Sequence, residues 1–141
     1  MFKHILLAAD GSAVSASAES TALQLAKEQD AELKIVHVVD IFGLYFATPE
    51  SIDFLVAAGQ KILDDLLARA TEADLRTQTR LRQTDVGGRR ISELILEEAH
   101  IWPADLIVIG SHGRRGLNHF LMGSVAEGVC QGAKTQVLLS R

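Results

Sequence analysis

Short runs of strand character alternate with stretches of helical period along this chain, and that alternation restricts the possible folds more than any other feature. Lys3 to Ala9 is apolar nearly throughout, and Leu33 to Val39 is dominated by β-branched and apolar residues. Arg76 to Thr84 alternates charge with small or apolar side chains, Asp105 to Gly110 is built on Leu106-Ile107-Val108-Ile109, and Thr135 to Leu139 forms the last run. Each reads as a strand. Between them, Ser15 to Gln29 carries Ala18, Ala22, Leu25 and Ala26 at helical spacing, with serines at its front as N-cap candidates. Thr48-Pro49 opens a long helix whose apolar stripe runs from Ile52 to Ala70. Ile91 to Ala99 and Ser124 to Gln131 supply two more helices, the first stopped by Trp102-Pro103 and the second by Gly132. The order β-α-β-α-β-α-β-α-β predicts one α/β domain over residues 1–141, with a five-stranded parallel sheet and helices on both faces. The alternating third strand suits an edge, and the apolar ones suit the interior.

Composition narrows the class of partner. Of 141 residues 48% are apolar, enough for a core. The formal charge of −4 disfavours nucleic acid and anionic membrane surfaces, both of which attract basic faces. Cys130 is the only cysteine, so neither an intrachain disulfide nor a CxxC metal or redox pair exists. Its place on the apolar side of the fourth helix predicts core filler. The apolar run Ile5 to Ala9 is too short for a signal peptide, and no run approaches the roughly 18 residues of a membrane span. A cytoplasmic location is the expectation.

Chemistry concentrates in residues 105–125. The strand ending at Gly110 empties into a loop punctuated by Gly110, Gly113 and Gly116, where the chain can adopt positive φ and approach a ligand closely. Helix four then starts at Gly123-Ser124. Strand, glycine loop and helix N-terminus together predict an anion cradle made of unpaired N–H groups and the helix dipole. Asp10-Gly11-Ser12 occupies the carboxyl end of strand one as this loop does that of strand four. If those strands are neighbours, both loops border one crevice. Gly132-Ala133-Lys134-Thr135 resembles a Walker A ending but lacks its glycine and precedes a strand. Gly110-Ser111-His112-Gly113 is one residue short of a nucleophile elbow.

Gly110, two residues, Gly113, nine residues and Gly123-Ser124 resemble the nucleotide-binding pattern of the universal stress protein family, in its ATP-binding branch. Ile5 to Ser12, Val36 to Asp40 and Gly123 to Glu127 resemble the family's first strand and loop, second strand end and last helix start, so the resemblance spans the chain. It departs in lacking a proline before the final strand. The resemblance implies a Rossmann-like, adenine nucleotide alpha hydrolase-like fold and a regulatory homodimer paired through the last strand, with little or no turnover. It also implies ATP as the ligand, with Mg²⁺ or Mn²⁺ as an accompanying ion. Carried over by position, Asp10 lies by the adenosine, the Val38 backbone meets the adenine edge, Gly110 and Gly113 approach ribose and phosphates, and Gly123, Ser124 and Val125 hold the phosphates.

Plainer roles stand beside these. Ser124 with Glu127 also forms an S-x-x-E capping box, and Asp10 also suits an Asx turn. His112 reads as a lid or hydrogen-bonding residue rather than a base, and Arg114 and Arg115 either reach a phosphate or remain solvated. Rival functions are a slow ATPase or adenylyl-compound hydrolase using Asp10 with a divalent ion, and an interaction module whose glycines only shape a loop. The apolar last strand predicts pairing with a second copy, since an exposed edge is otherwise left open. The aromatic segment Phe42 to Phe46 is unassigned.

Overall fold

The computed structural model describes residues 1–42, 47–112 and 122–141. Along them run β1 (His4–Ala8), α1 (Ala16–Glu28), β2 (Glu32–Val39), α2 (Pro49–Glu72), β3 (Thr77–Gln83), α3 (Ile91–Ile101), β4 (Leu106–Gly110), α4 (Ser124–Gly132) and β5 (Gln136–Ser140). The strands form one parallel sheet in the order β3-β2-β1-β4-β5. The expected α/β architecture is therefore the observed one, with β3 at an edge. β1 and β4 are neighbours, so the strand order reverses between them and the loops after both open on the same crevice.

The sheet is covered on both faces because successive side chains alternate across it. Ile5 and Leu7 of β1, Leu33 and Ile35 of β2 and Val108 of β4 pack with Ala18, Ala22 and Ala26 of α1 and Leu63 and Leu66 of α2. Leu6, Val36, Ile107 and Ile109 point the other way, onto Leu94, Ile95 and Ala99 of α3 and Val129 of α4. The fully buried residues of α1 in this layer are the alanines Ala18, Ala22 and Ala26, with Leu23 and Leu25 packed at its margin. Burying an aliphatic side chain such as Ile5 or Leu7 fully contributes on the order of 1.5–3 kcal/mol.

Local signals explain the ends of the elements. At the start of α2, Thr48 Oγ1 accepts from the Ser51 N–H (3.1 Å) and Ser51 Oγ accepts from the Thr48 N–H (3.0 Å), with Pro49 at the first helical position. α4 departs from expectation at both ends. Its N-cap is Gly123, so Ser124 is the first helical residue and the S-x-x-E pattern forms no capping box. Its C-cap is Ala133. Gly132 lies inside the helix, where a Cβ would stand 2.5 Å from Leu96 Cδ1, so its bareness serves packing against α3. Cys130 is exposed: Ala126 and Val129 face the core, and the next residue is turned about 100° away.

A buried ionic cluster joins α3 to β2 and β3. Glu98 accepts from Lys34 Nζ at 2.9 Å and from Arg82 Nη1 at 2.6 Å, while Arg82 Nη2 also reaches Glu97 at 2.9 Å. Arg80 Nε stands 3.5 Å from Glu98, Arg89 pairs with Glu97, and Lys34 Nζ lies 5.8 Å above the Trp102 ring. The Glu98 and Lys34 side chains are only 4% and 9% exposed. Among the described residues no helix is long and apolar enough to cross a membrane.

Candidate functional site

At the switch point between β1 and β4 lies a cavity of about 610 Å³. That is inside the range of small-molecule sites, roughly 300–1,000 Å³. Ala8, Val36, Val38, Leu55, Ile62, Ile91, Ile95 and Ile109 give it apolar walls, and Asp10, Ser111, His112 and the start of α4 give it a polar end. Of the sequence-predicted site residues, Asp10, Val38, Gly110, Gly123, Ser124 and Val125 all line it. Gly113 lies outside the described residues, as do Arg114, Arg115, Gly116, His119 and residues 43–46 of the aromatic segment.

The first wall is the end of β1. Gly11 has φ 77°, a left-handed turn that favours glycine, and Asp10 Oδ1 accepts from the Ser12 N–H at 2.9 Å. The Asx-turn role of Asp10 is thus realised on a residue that also faces the cavity. Ser15 donates from Oγ to the Ser12 carbonyl (3.0 Å) instead of capping α1. Just behind stands Glu19, whose carboxyl is raised above the ordinary 4.5, first by burial. The Arg69 charge opposes that rise, the Asp10 charge adds to it, and a Ser15 hydrogen bond opposes it.

The second wall is β2, which outruns β1. Their pairing ends at Ala8 with Val36, and the Ala9 N–H donates to the Val36 carbonyl at 2.9 Å. Peptide groups alternate sides along a strand, so those of Val38 face the same way as those of Val36, beyond the end of β1. Backbone donors and acceptors are thereby offered to the cavity without any special side chain. His37 closes the gap on the other face. Its Nδ1 lies 2.8 Å from the Ala9 carbonyl, which can only accept, so Nδ1 carries the proton. A Cβ on Gly59 of α2 would fall 2.6 Å from His37 Cδ2, which is why this long helix holds a glycine there.

The polar end is organised by Ser111, directly after β4. Its N–H donates to the Ser140 carbonyl of β5 (2.8 Å), and its carbonyl accepts from the Gly123 N–H (2.7 Å). Its Oγ lies 3.1 Å from His112 Nδ1. The Glu127 N–H returns to the Gly123 carbonyl at 2.9 Å. Among the described residues no acceptor meets the N–H groups of Ser124, Val125 and Ala126, the first three of the helix. Gly123 positions the cradle but has already committed its own N–H. Gly110 is not in the left-handed region that the sequence allows for the loop glycines, and Gly113 and Gly116 lie outside the described residues. Gly110 is bare for want of room: a Cβ there would lie 3.3 Å from the His112 carbonyl oxygen and 3.6 Å from Ser15 Cα.

Sequence reasoning missed Ala126, Ser111, His37 and Gly59 as parts of this site. Counting N–H groups from the true start of α4 would have found Ala126, whereas the others depend on contacts between elements. The only charged side chains among the described lining residues are Asp10 and Asp40, apart from the histidines. Among the described residues no three His, Cys, Asp or Glu side chains form a metal cage.

Comparison with known proteins matches the chain to the model of the universal stress protein family over residues 1–141. It is 35% identical over 153 aligned residues to universal stress protein YxiE of Bacillus subtilis, with all of both chains covered. A universal stress protein family structure from Burkholderia pseudomallei superimposes with a TM-score of 0.77 at 29% identity, covering 97% of this chain and 94% of that one. A universal stress protein solved in complex with cAMP superimposes at 0.71 with 25% identity, covering 99% and 97%.

Proposed function

The chain belongs to the universal stress protein family, and on that premise we propose that it binds an adenine nucleotide, ATP foremost, in the cavity between the ends of β1 and β4. The observation that carries this reading is the pairing of apolar walls with three first-turn amides, Ser124, Val125 and Ala126, that have no acceptor among the described residues. A base is flat, largely apolar and edged with hydrogen-bonding groups, which suits the Val36 and Val38 wall and the uncovered peptide groups of Val38. A phosphate is an anion, which suits a helix N-terminus. Gly110, and by resemblance Gly113, would let the main chain approach ribose and phosphates. A relative holding cAMP fits the same ligand class. A Mg²⁺ or Mn²⁺ ion would be held between Asp10 and the phosphates rather than by the protein alone.

The binding is regulatory in this reading: occupancy of the site, read by a partner, is the output. Calorimetry with ATP on the purified chain is expected to show one saturable site per chain, with adenosine weaker because it engages none of the amides. Absence of heat and of any thermal shift at millimolar ATP would leave the interaction-module reading in its place.

We also propose a homodimer. β5 is an edge strand whose Val137, Leu138 and Leu139 remain partly exposed in the single chain. Antiparallel pairing with a second β5 would cover them and satisfy the open backbone groups. Light scattering at micromolar concentration is expected to give twice the chain mass, and a monomer would exclude this edge as a stable interface.

A further inference from the structure

We propose that Asp40 selects the base of the nucleotide: one oxygen of its carboxylate accepts from the exocyclic amino group of adenine and turns away purines that carry a carbonyl there. The inference rests on the nucleotide reading above and extends it to the choice of base. Asp40 directly follows β2 and lines the cavity together with Val36 and Val38. It is exposed rather than packed into the core. β1 lies between β2 and β4, which puts Asp40 across β1 from the amides at the start of α4. A carboxylate repels phosphate and a helix N-terminus attracts it, so a nucleotide lies with its phosphates at α4 and its base toward Asp40.

Only one of the two carboxylate oxygens is engaged by the protein. Oδ1 accepts from the Phe42 N–H at 3.1 Å and from Thr84 Oγ1 at 3.1 Å. Thr84 is buried, and its hydroxyl accepts from the Ile41 N–H at 2.7 Å, so its single proton is left for Asp40. The Thr84 N–H in turn donates to the Val39 carbonyl at 3.0 Å, which ties the end of β2 to the chain after β3. These bonds fix the carboxylate, and among the described residues no donor meets Oδ2. An ionised carboxylate can only accept. Adenine presents an amino donor at C6, whereas hypoxanthine and guanine present a carbonyl oxygen, which Oδ2 repels. A site built to hydrogen-bond an N–H discriminates against the analogue that lacks it.

The test exploits the same bonds. In Asp40→Asn the Phe42 N–H and the Thr84 hydroxyl hold the amide oxygen where Oδ1 stood, so the turn survives and the free group changes from an acceptor to an N–H donor. Calorimetry on the full chain compares ATP with ITP, whose base carries a carbonyl at C6. The wild-type chain is expected to prefer ATP, and the ratio of the two affinities to fall about tenfold in Asp40→Asn, the size of one hydrogen bond to a charged group. Taking the ratio cancels the gain that either triphosphate draws from the loss of a negative charge. In the wild type, the ¹³C resonance of the Asp40 carboxyl is expected to move with ATP and not with ITP, a readout that stands even if the variant fails to fold. An ATP-to-ITP ratio unchanged by Asp40→Asn leaves the base to the Val38 peptide groups and overturns the role of Asp40. Loss of discrimination against 2′-deoxy- or 3′-deoxy-ATP, in place of that against ITP, assigns the carboxylate to the ribose and overturns it equally. A wild-type chain that binds neither ATP nor ITP overturns the nucleotide reading itself.

Discussion

Replacing Glu98 by leucine is expected to lower the unfolding free energy by roughly 3–5 kcal/mol, the usual consequence of removing one partner from a buried ion pair. Glu98 sits between Lys34 and Arg82 at 2.9 and 2.6 Å, in a layer where the Lys34 side chain is 9% and the Arg82 side chain 13% exposed. Without the carboxylate, Arg82 keeps Glu97, but among the described residues Lys34 keeps only the face of Trp102. A cation over an aromatic ring recovers about 0.5–2 kcal/mol, too little to offset the desolvation of an ammonium group. The loss thus belongs to the orphaned lysine more than to the missing bond. Two denaturant titrations separate these causes. Glu98→Leu alone should unfold at much lower denaturant, whereas combining it with Lys34→Met and Arg82→Met should restore most of the stability, because an apolar replacement of the whole cluster leaves no charge unpaired.

The same cluster sets an acid limit. Burial pushes the Glu98 carboxyl up, but hydrogen bonds and charge from Lys34 and Arg82 outweigh it and hold the group below the ordinary 4.5. A lowered folded-state value means that its stabilisation is fully present above pH 4.5 and is lost as pH falls through the folded-state value. Glu19 has the opposite sign: raised by burial, it detracts from stability near neutrality, and protonation relieves it. Stability measured from pH 7 to pH 3 should fall more steeply in the wild type than in Glu98→Gln, and Glu19→Gln should be the more stable chain at pH 7. A Glu98→Gln curve parallel to the wild type would remove Glu98 from the acid limit.

Gly110→Val is expected to weaken nucleotide binding about ten- to a hundredfold while leaving the sheet folded. The sheet tolerates the change because valine is a favoured strand residue and Gly110 pairs in register with Ser140. The site does not. The first added carbon already lies 3.3 Å from the His112 carbonyl and 3.6 Å from Ser15 Cα, and the two γ-methyls must then enter the cavity or push Ser15 and His112 aside. Overpacking of this kind costs on the order of 1–3 kcal/mol, and each 1.4 kcal/mol is tenfold in affinity. Gly110→Ala should show a few-fold loss only, since a shift of a few tenths of an ångström accommodates one methyl. Unaltered ATP affinity in Gly110→Val, measured by calorimetry on a chain with wild-type melting behaviour, would mean that the ligand does not pass over this residue.

The fold was legible in the sequence because its signals are local. Every element lies within two residues of its expected span, since strand runs such as Leu106 to Ile109 and the Thr48-Pro49 start encode their structure in their own neighbourhood. The lining of the candidate site was legible in part, because the resemblance carries Asp10, Val38 and Ser124 to positions that border one cavity. What escaped depends on pairs distant in the chain. Gly123, not Ser124, is the N-cap of the helix, with its N–H held by the Ser111 carbonyl, and no pattern within Ser124 to Glu127 reveals that. Torsion is the sequence reading for Gly110 and Gly132, whereas in the fold a Cβ would crowd the His112 carbonyl at the first and Leu96 at the second. Lys34, Arg82 and Glu98 are far apart in the chain, and β2, β3 and α3 bring them together only in the fold.

The amide resonances of Ser124, Val125 and Ala126 bear most directly on the proposed site. In a titration of the ¹⁵N-labelled chain with ATP, these three are expected to move downfield as their N–H groups gain charged acceptors, with Val38 shifting as the base arrives. Movement of Val38 without the three helix amides, or no movement in either place at saturating ATP, would contradict the account.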